Sequence, residues 1–287
     1  MKMILWGLFK KMVVADNCAV GVNYIFEHYG SLGSPQLWLG VILFSVQLYG
    51  DFSGYSDIAS GSARLFGIRL MQNFRTPFFS QSMREYRRRW HISLSLWLRD
   101  YLYFPLGGNR CSKTRNYMNL MAVFLLSGLW HGASAVFLLW GGYHGSLVVY
   151  EAIKRNWQKG NGMAKPKEKT ESPRKFKSFV LTFRVLILVA LGQILFRAPN
   201  ITVAWGYTKR MFTVYSYHPI PLNHTVFIWI SILFIAEWFT KEREHGLDWP
   251  FAGLWRNRTI RWAVYLCLFM AILIFSGTPQ QFVYFQF

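Results

Sequence analysis

An apolar run long enough to cross a bilayer restricts its backbone severely, because lipid offers no partner for free N–H and C=O groups. At such lengths the solution is a helix. Leu37 to Tyr49, Tyr117 to Trp130, Val136 to Tyr150, Phe179 to Phe196, Val226 to Phe239 and Trp262 to Phe275 approach a span of about 20 residues once their aromatic flanks are counted. Trp and Tyr gather at the ends of these runs, as side chains at headgroup level do. With 53% hydrophobic and 18% aromatic residues, the chain is too apolar and ring-rich for an ordinary soluble domain. The expectation is an all-α, polytopic transmembrane protein.

A net charge of +19 invites a nucleic-acid reading. Its distribution excludes one: Lys and Arg fall in the gaps between apolar runs, as positive-inside loops require, and no RNA- or DNA-binding module accompanies them. Cys18, Cys111 and Cys267 lie far apart, without metal spacing or a paired framework. The start, Met1 to Leu8, runs straight into Lys10 and Lys11 with no small-residue cleavage site, so it does not read as a cleavable leader.

Charge also assigns sides. Lys154 to Lys177, rich in Gly, Pro, Lys and Glu, reads as a disordered cytoplasmic loop, and Lys241 to Arg261 as a second inside loop. Parity then puts Pro219 to Asn223 and the tail Gly277 to Phe287 outside, and the basic segment Arg64 to Arg115 inside. Residues 1–287 are expected to form one membrane-embedded domain.

Two stretches stand out as irregular. Met83 to Tyr103 reads as a helix with Arg84, Arg87, His91, Ser95 and Arg99 on one face and Tyr86, Trp90, Leu94, Trp97 and Tyr101 on the other. Arginines at the bilayer centre are costly, so this helix is expected to be interfacial or re-entrant. Gln47 to Asp57 places Asp51, Ser53, Ser56 and Asp57, with Gly50 and Gly54, directly after an apolar run. A backbone break there would have to line protein or a wet cavity. The expectation is a polar cavity built from Gln47 to Asp57, the Arg84 to Arg99 helix and the region of His131.

His91, His131 and His144 sit beside aromatic and small residues in or near apolar runs. His131, in Ser127-Gly-Leu-Trp-His-Gly-Ala-Ser134, is the most enclosed by uncharged sequence, and a neutral imidazole there can take a proton from a hydroxyl. The competing reading is a hydrogen bond to a neighbouring helix. His91 lies on an arginine-rich face, which suits a headgroup-facing residue. The glycines Gly141, Gly142 and Gly145 suggest that His144 marks close helix packing. Asp51 and Asp57 fit ion ligands of a transporter or caps of the following helix.

Five strings together resemble the membrane-bound O-acyltransferases, in the branch similar to alginate O-acetyltransferase and other bacterial polysaccharide acetylation proteins. They are Gln47-Leu-Tyr-Gly-Asp-Phe-Ser-Gly-Tyr-Ser-Asp57, Arg88-Arg-Trp-His-Ile-Ser-Leu-Ser-Leu-Trp-Leu-Arg-Asp-Tyr101, Pro105-Leu-Gly-Gly-Asn-Arg110, Gly128-Leu-Trp-His-Gly-Ala133 and Phe282-Val-Tyr-Phe-Gln-Phe287. Their order across almost the whole chain carries the likeness. The family pattern has further helices before the string that begins at Trp6, so the chain resembles its carboxy-terminal part.

The resemblance implies that His131 is catalytic and that His91 is a second functional position. It also implies that Tyr284 transiently holds the acyl group. Arg88, Arg89, Trp90, Arg99, Asp100, Asp51 and Trp130 are the residues expected to bind substrate or donor, and no metal is expected. The donor would be acetyl-CoA, not tightly bound, whose phosphates suit guanidinium groups. An outer-face esterase-like partner protein would complete transfer to a polysaccharide, in a bacterial inner membrane crossed several times. A transporter or flippase and an inactive membrane scaffold are the rival readings.

Overall fold

A computed structural model describes residues 1–161, 175–241, 247 and 257–282. Every apolar run named above lies in a helix: Ser34–Leu65, Lys113–His131, Ala135–Gly160, Lys175–Arg197, Thr225–Thr240 and Arg258–Phe275. Among the described residues there is no strand. Ser34–Leu65, Phe176–Arg197 and Arg258–Phe275 are each long and apolar enough to cross a membrane. The fold is all-α and polytopic, as expected.

The chain divides into two compact parts, Met1–Thr76 with Trp205–Phe287 and Pro77–Ala204. In the first, Lys2–Leu8 runs into a π-helical stretch, Phe9–Ala15, and then Asp16–Glu27, all laid against Ser34–Leu65. Here the expectation of a broken backbone at Gln47 to Asp57 is corrected: the helix Ser34–Leu65 is continuous through it. Gly50 and Gly54 serve contact instead. A Cβ on Gly54 would lie 2.7 Å from the Gly7 carbonyl oxygen, and one on Gly50 would lie 3.0 Å from that of Lys10. Backbone therefore meets backbone at this crossing.

The same crossing buries charge. Lys10 pairs with Asp57 at 2.6 Å and donates to Ser53 Oγ at 2.9 Å, while Lys11 bridges Asp16 at 2.9 Å and Asp51 at 2.8 Å. Asp51 and Asp57 thus neither cap a helix nor stand ready as ion ligands. They neutralise buried Lys10 and half-buried Lys11, which accounts for both carboxylates without a transported ion. The tail is anchored here too: the Gly277 N–H donates to the Met12 carbonyl at 2.9 Å, and the Phe282 ring packs on Phe52 and Tyr55.

The second part is built on a tight hairpin of Lys113–His131 and Ala135–Gly160. A Cβ on Gly128 would collide with the Phe137 carbonyl, and one on Gly141 with that of Phe124. The expected loop from Lys154 starts later than its composition suggested, since Ala135–Gly160 carries the helix through Lys154, Arg155, Gln158 and Lys159, all good helix formers. Residues 162–174 lie outside the described set, and the helix Lys175–Arg197 follows.

Candidate active site

The expected two-faced helix from Met83 to Tyr103 is three pieces: Met83–Arg89, Ile92–Leu98 and a π-helical turn, Arg99–Tyr103. The break has a local cause. Trp90 is extended (φ −110°, ψ 127°) and His91 is left-handed (φ 45°, ψ 58°), which ends one backbone hydrogen-bond ladder and starts another. A non-glycine residue in that region costs about 1–3 kcal/mol and is held only where its surroundings impose it. The piece before it is fixed at its start. Ser82 caps the first piece by accepting from the Glu85 N–H at 3.1 Å, and Glu85 accepts from the Gln81 N–H at 2.8 Å. Glu151, from the helix Ala135–Gly160, accepts from the N–H groups of Met83 and Arg84 at 2.8 and 3.0 Å. A carboxylate at a helix amino terminus is favoured by both hydrogen bonding and the helix dipole.

This break delivers His91 to Trp130. Their ring centroids are 6.2 Å apart, and the His131 ring stands 4.9 Å from that of Trp130. His131 is the last residue of Lys113–His131, and its half-buried ring is edged by Trp140 and Phe196, each at 5.1 Å, with Phe137 at 6.4 Å. The Arg87 guanidinium lies over the rings of Phe124 (5.0 Å) and Trp140 (5.9 Å). His91 and His131 thus both come near the exposed indole of Trp130, and the rings around His131 form an aromatic enclosure. Its rings leave few polar partners for water, which suits chemistry on a hydrolysable acyl group.

Burial, and after it the Arg87 guanidinium, push His91 down to about 4 from an ordinary 6.5. The ring is therefore neutral at neutral pH. Between those two values the unfolded chain binds the proton that the folded chain refuses, so acidification through this window destabilises the fold. Thermal unfolding followed from pH 7 to pH 4 should show a falling midpoint. His91→Asn, which tolerates the left-handed backbone, should flatten part of that slope; an unchanged slope would show that His91 titrates normally.

The other expected residues are distributed unevenly. Trp90 is buried and stacked on Tyr86 at 5.7 Å. Arg88 is exposed, Arg89 pairs with Glu85 at 2.7 Å, and Arg99 is engaged by Asp100 at 2.7 and 3.1 Å, both of them exposed. Asp51 belongs to the other part, where it serves Lys11. Tyr284 lies outside the described residues. Sequence reasoning gave too little weight to Arg87, Trp140 and His144. His144 is 2% exposed, its ring is 4.8 Å from that of Trp140, and neither of its nitrogens has a hydrogen-bond partner among the described residues. Its close packing was legible from Gly141, Gly142 and Gly145, and the structure adds Gly192, where a Cβ would lie 2.6 Å from His144 Nε2. Its proximity to the His131 enclosure was not.

The model of the membrane-bound O-acyltransferase family matches residues 34–193, a stretch that contains His91, Trp130, His131 and His144. The chain belongs to this family. Among its curated relatives, a probable alginate O-acetylase of Pseudomonas aeruginosa is 42% identical over 221 residues, covering 76% of this chain and 39% of the relative. The corresponding protein of Pseudomonas putida is 34% identical over 315 residues, covering 98% of this chain and 59% of its own length. A peptidoglycan O-acetyltransferase of Helicobacter pylori is 48% identical over 127 residues, 44% of this chain and 24% of the relative. The chain therefore spans less than two thirds of these membrane-bound O-acyltransferase relatives.

Proposed function

We propose that residues 1–287 work as one membrane-embedded domain of an O-acyltransferase in a bacterial inner membrane, crossed several times. It would move acetyl from cytoplasmic acetyl-CoA towards hydroxyls of an extracytoplasmic polysaccharide. The carrying observation is that His91 and His131 both stand near Trp130, with the His131 ring set among Trp140, Phe137 and Phe196. The names of the relatives, an alginate O-acetylase and a peptidoglycan O-acetyltransferase, support a polymer acceptor.

In this reading His131 takes the proton of the attacking hydroxyl as its oxygen bonds to the thioester carbonyl carbon. The carbon–sulfur bond then breaks, and the thiolate leaves with the proton that His131 returns. His91, neutral and held by its backbone, orients the reacting group, and Arg88, Arg89 and Arg99 supply cations for the donor's phosphates. Tyr284 accepts the acetyl group first and passes it to an outer-face partner protein. A phenol with a pKa near 10 needs such a base to react at neutral pH.

The test is mass spectrometry of the carboxy-terminal peptide from the full-length protein after loading with acetyl-CoA. A 42 Da gain on Tyr284 is expected from one acetyl replacing one hydrogen, about the mass of any O-acetylation. Release of free coenzyme A with an unmodified tyrosine would remove the shuttle and leave the acyltransferase. No release of coenzyme A at all would remove both.

A further inference from the structure

The part that holds Met1–Thr76 contains a cavity of about 710 Å³ that the proposed chemistry does not use. Its walls carry Lys10, Arg64, Arg69, Arg75 and Lys241 against two carboxylates, Asp57 and Glu237. Both carboxylates are already committed within the wall. Asp57 pairs with Lys10 at 2.6 Å, and Glu237 accepts the Tyr49 hydroxyl at 2.5 Å. Arg64, Arg69, Arg75 and Lys241 have no carboxylate within ion-pair distance among the described residues. Cations gathered on one concavity attract an anion, and guanidinium groups match phosphate oxygens in geometry.

The segment that supplies Arg64 and Arg69 indicates which anion. Between and beside them stand Leu65, Phe66, Ile68, Leu70 and Met71, with exposures of 61%, 81%, 56%, 48% and 52%. Such side chains facing water would be costly, whereas apolar tips interleaved with arginine suit the boundary between acyl chains and headgroups. The segment leaves the end of Ser34–Leu65, a helix of 32 residues. At about 1.5 Å per residue such a helix outreaches a hydrocarbon core of about 30 Å, which brings its end to headgroup level. Gly67, at φ 76°, turns the chain there. A free phosphate compound has no use for the apolar collar. A lipid uses both the collar and the cations.

We infer that this cavity is a headgroup site for an anionic phospholipid, its phosphate held by Arg64, Arg69, Arg75 and Lys241 and its acyl chains lying along Leu65 to Met71. The site is independent of the acyltransferase reading. Basic loops mark the cytoplasmic leaflet, where anionic lipid is met.

The experiment is native mass spectrometry of the whole chain released from nanodiscs of phosphatidylglycerol or phosphatidylcholine. Phosphatidylglycerol should be retained preferentially. The variant Arg69→Gln/Arg75→Gln/Lys241→Gln should lower that retention by about tenfold or more, since each cation near a membrane surface contributes about a fivefold factor. The variant Lys154→Gln/Lys159→Gln, exposed cations elsewhere, should leave it unchanged. Equal retention of the two lipids by the unaltered chain would overturn the inference, and that comparison needs no variant to fold. Displacement of the lipid by adenosine 3′,5′-bisphosphate at equal phosphate concentration would also overturn it, by assigning the cavity to a soluble phosphate compound.

Discussion

Replacing His131 by alanine in the full-length protein is expected to lower acetyl transfer by about a hundred- to ten-thousand-fold, the usual contribution of a general base. The expectation rests on position. His131 closes the helix Lys113–His131 and sets its ring among those of Trp130, Trp140 and Phe196. An imidazole that only filled this enclosure would behave differently: its loss would loosen the aromatic cluster and lower the thermal midpoint, with a modest effect on rate. Measuring both quantities on His131→Ala and His131→Gln separates the two roles. A base should give a large drop in kcat with little change in the amount of folded protein in the membrane. Transfer at the wild-type rate would sink the assignment.

The second large effect concerns stability. Lys11→Met should destabilise the fold by about 3–5 kcal/mol, the usual result of removing one partner from a buried ionic group. Lys11 lies between Asp16 and Asp51, which are 3% and 1% exposed, and also donates to the Gln280 carbonyl at 3.1 Å. Without the ammonium, two buried carboxylates face each other and the tail loses a tie. Thermal unfolding of the detergent-solubilised protein, followed by fluorescence, would report the shift. Adding Asp51→Asn should recover part of it, because the amide removes one of the two like charges. An unchanged midpoint in Lys11→Met would mean that water, not Lys11, compensates these carboxylates.

How far these residues could be read in advance follows from their range of interaction. The spans were legible because a run such as Phe179 to Phe196 has one low-energy solution in lipid whatever its neighbours do. His131 and Trp130 were legible as an enclosed pair because they are adjacent in the chain. The break at His91 was not, since the alternation of Arg and aromatic residues from Met83 to Tyr103 satisfies a helical period throughout. The first piece ends at Trp90 and His91, while at its start Glu151, from the helix Ala135–Gly160, holds the N–H groups of Met83 and Arg84. Gly50 and Gly54 misled for the opposite reason. Glycine weakens an isolated helix, yet here it permits the close approach of Gly7 and Lys10 that keeps the helix Ser34–Leu65 in place.

Two conclusions needed nothing beyond the order of residues: a helical membrane protein, and a His131 that stands among uncharged residues. Each depends on interactions within one segment or between that segment and its solvent. Packing in three dimensions was needed to show that Asp51 and Asp57 answer Lys11 and Lys10, that a left-handed His91 comes up to Trp130, and that Trp140 and Phe196 enclose His131. These pairings join residues far apart in the chain, and a buried charge or ring takes whichever partner the packed helices bring within a few ångströms.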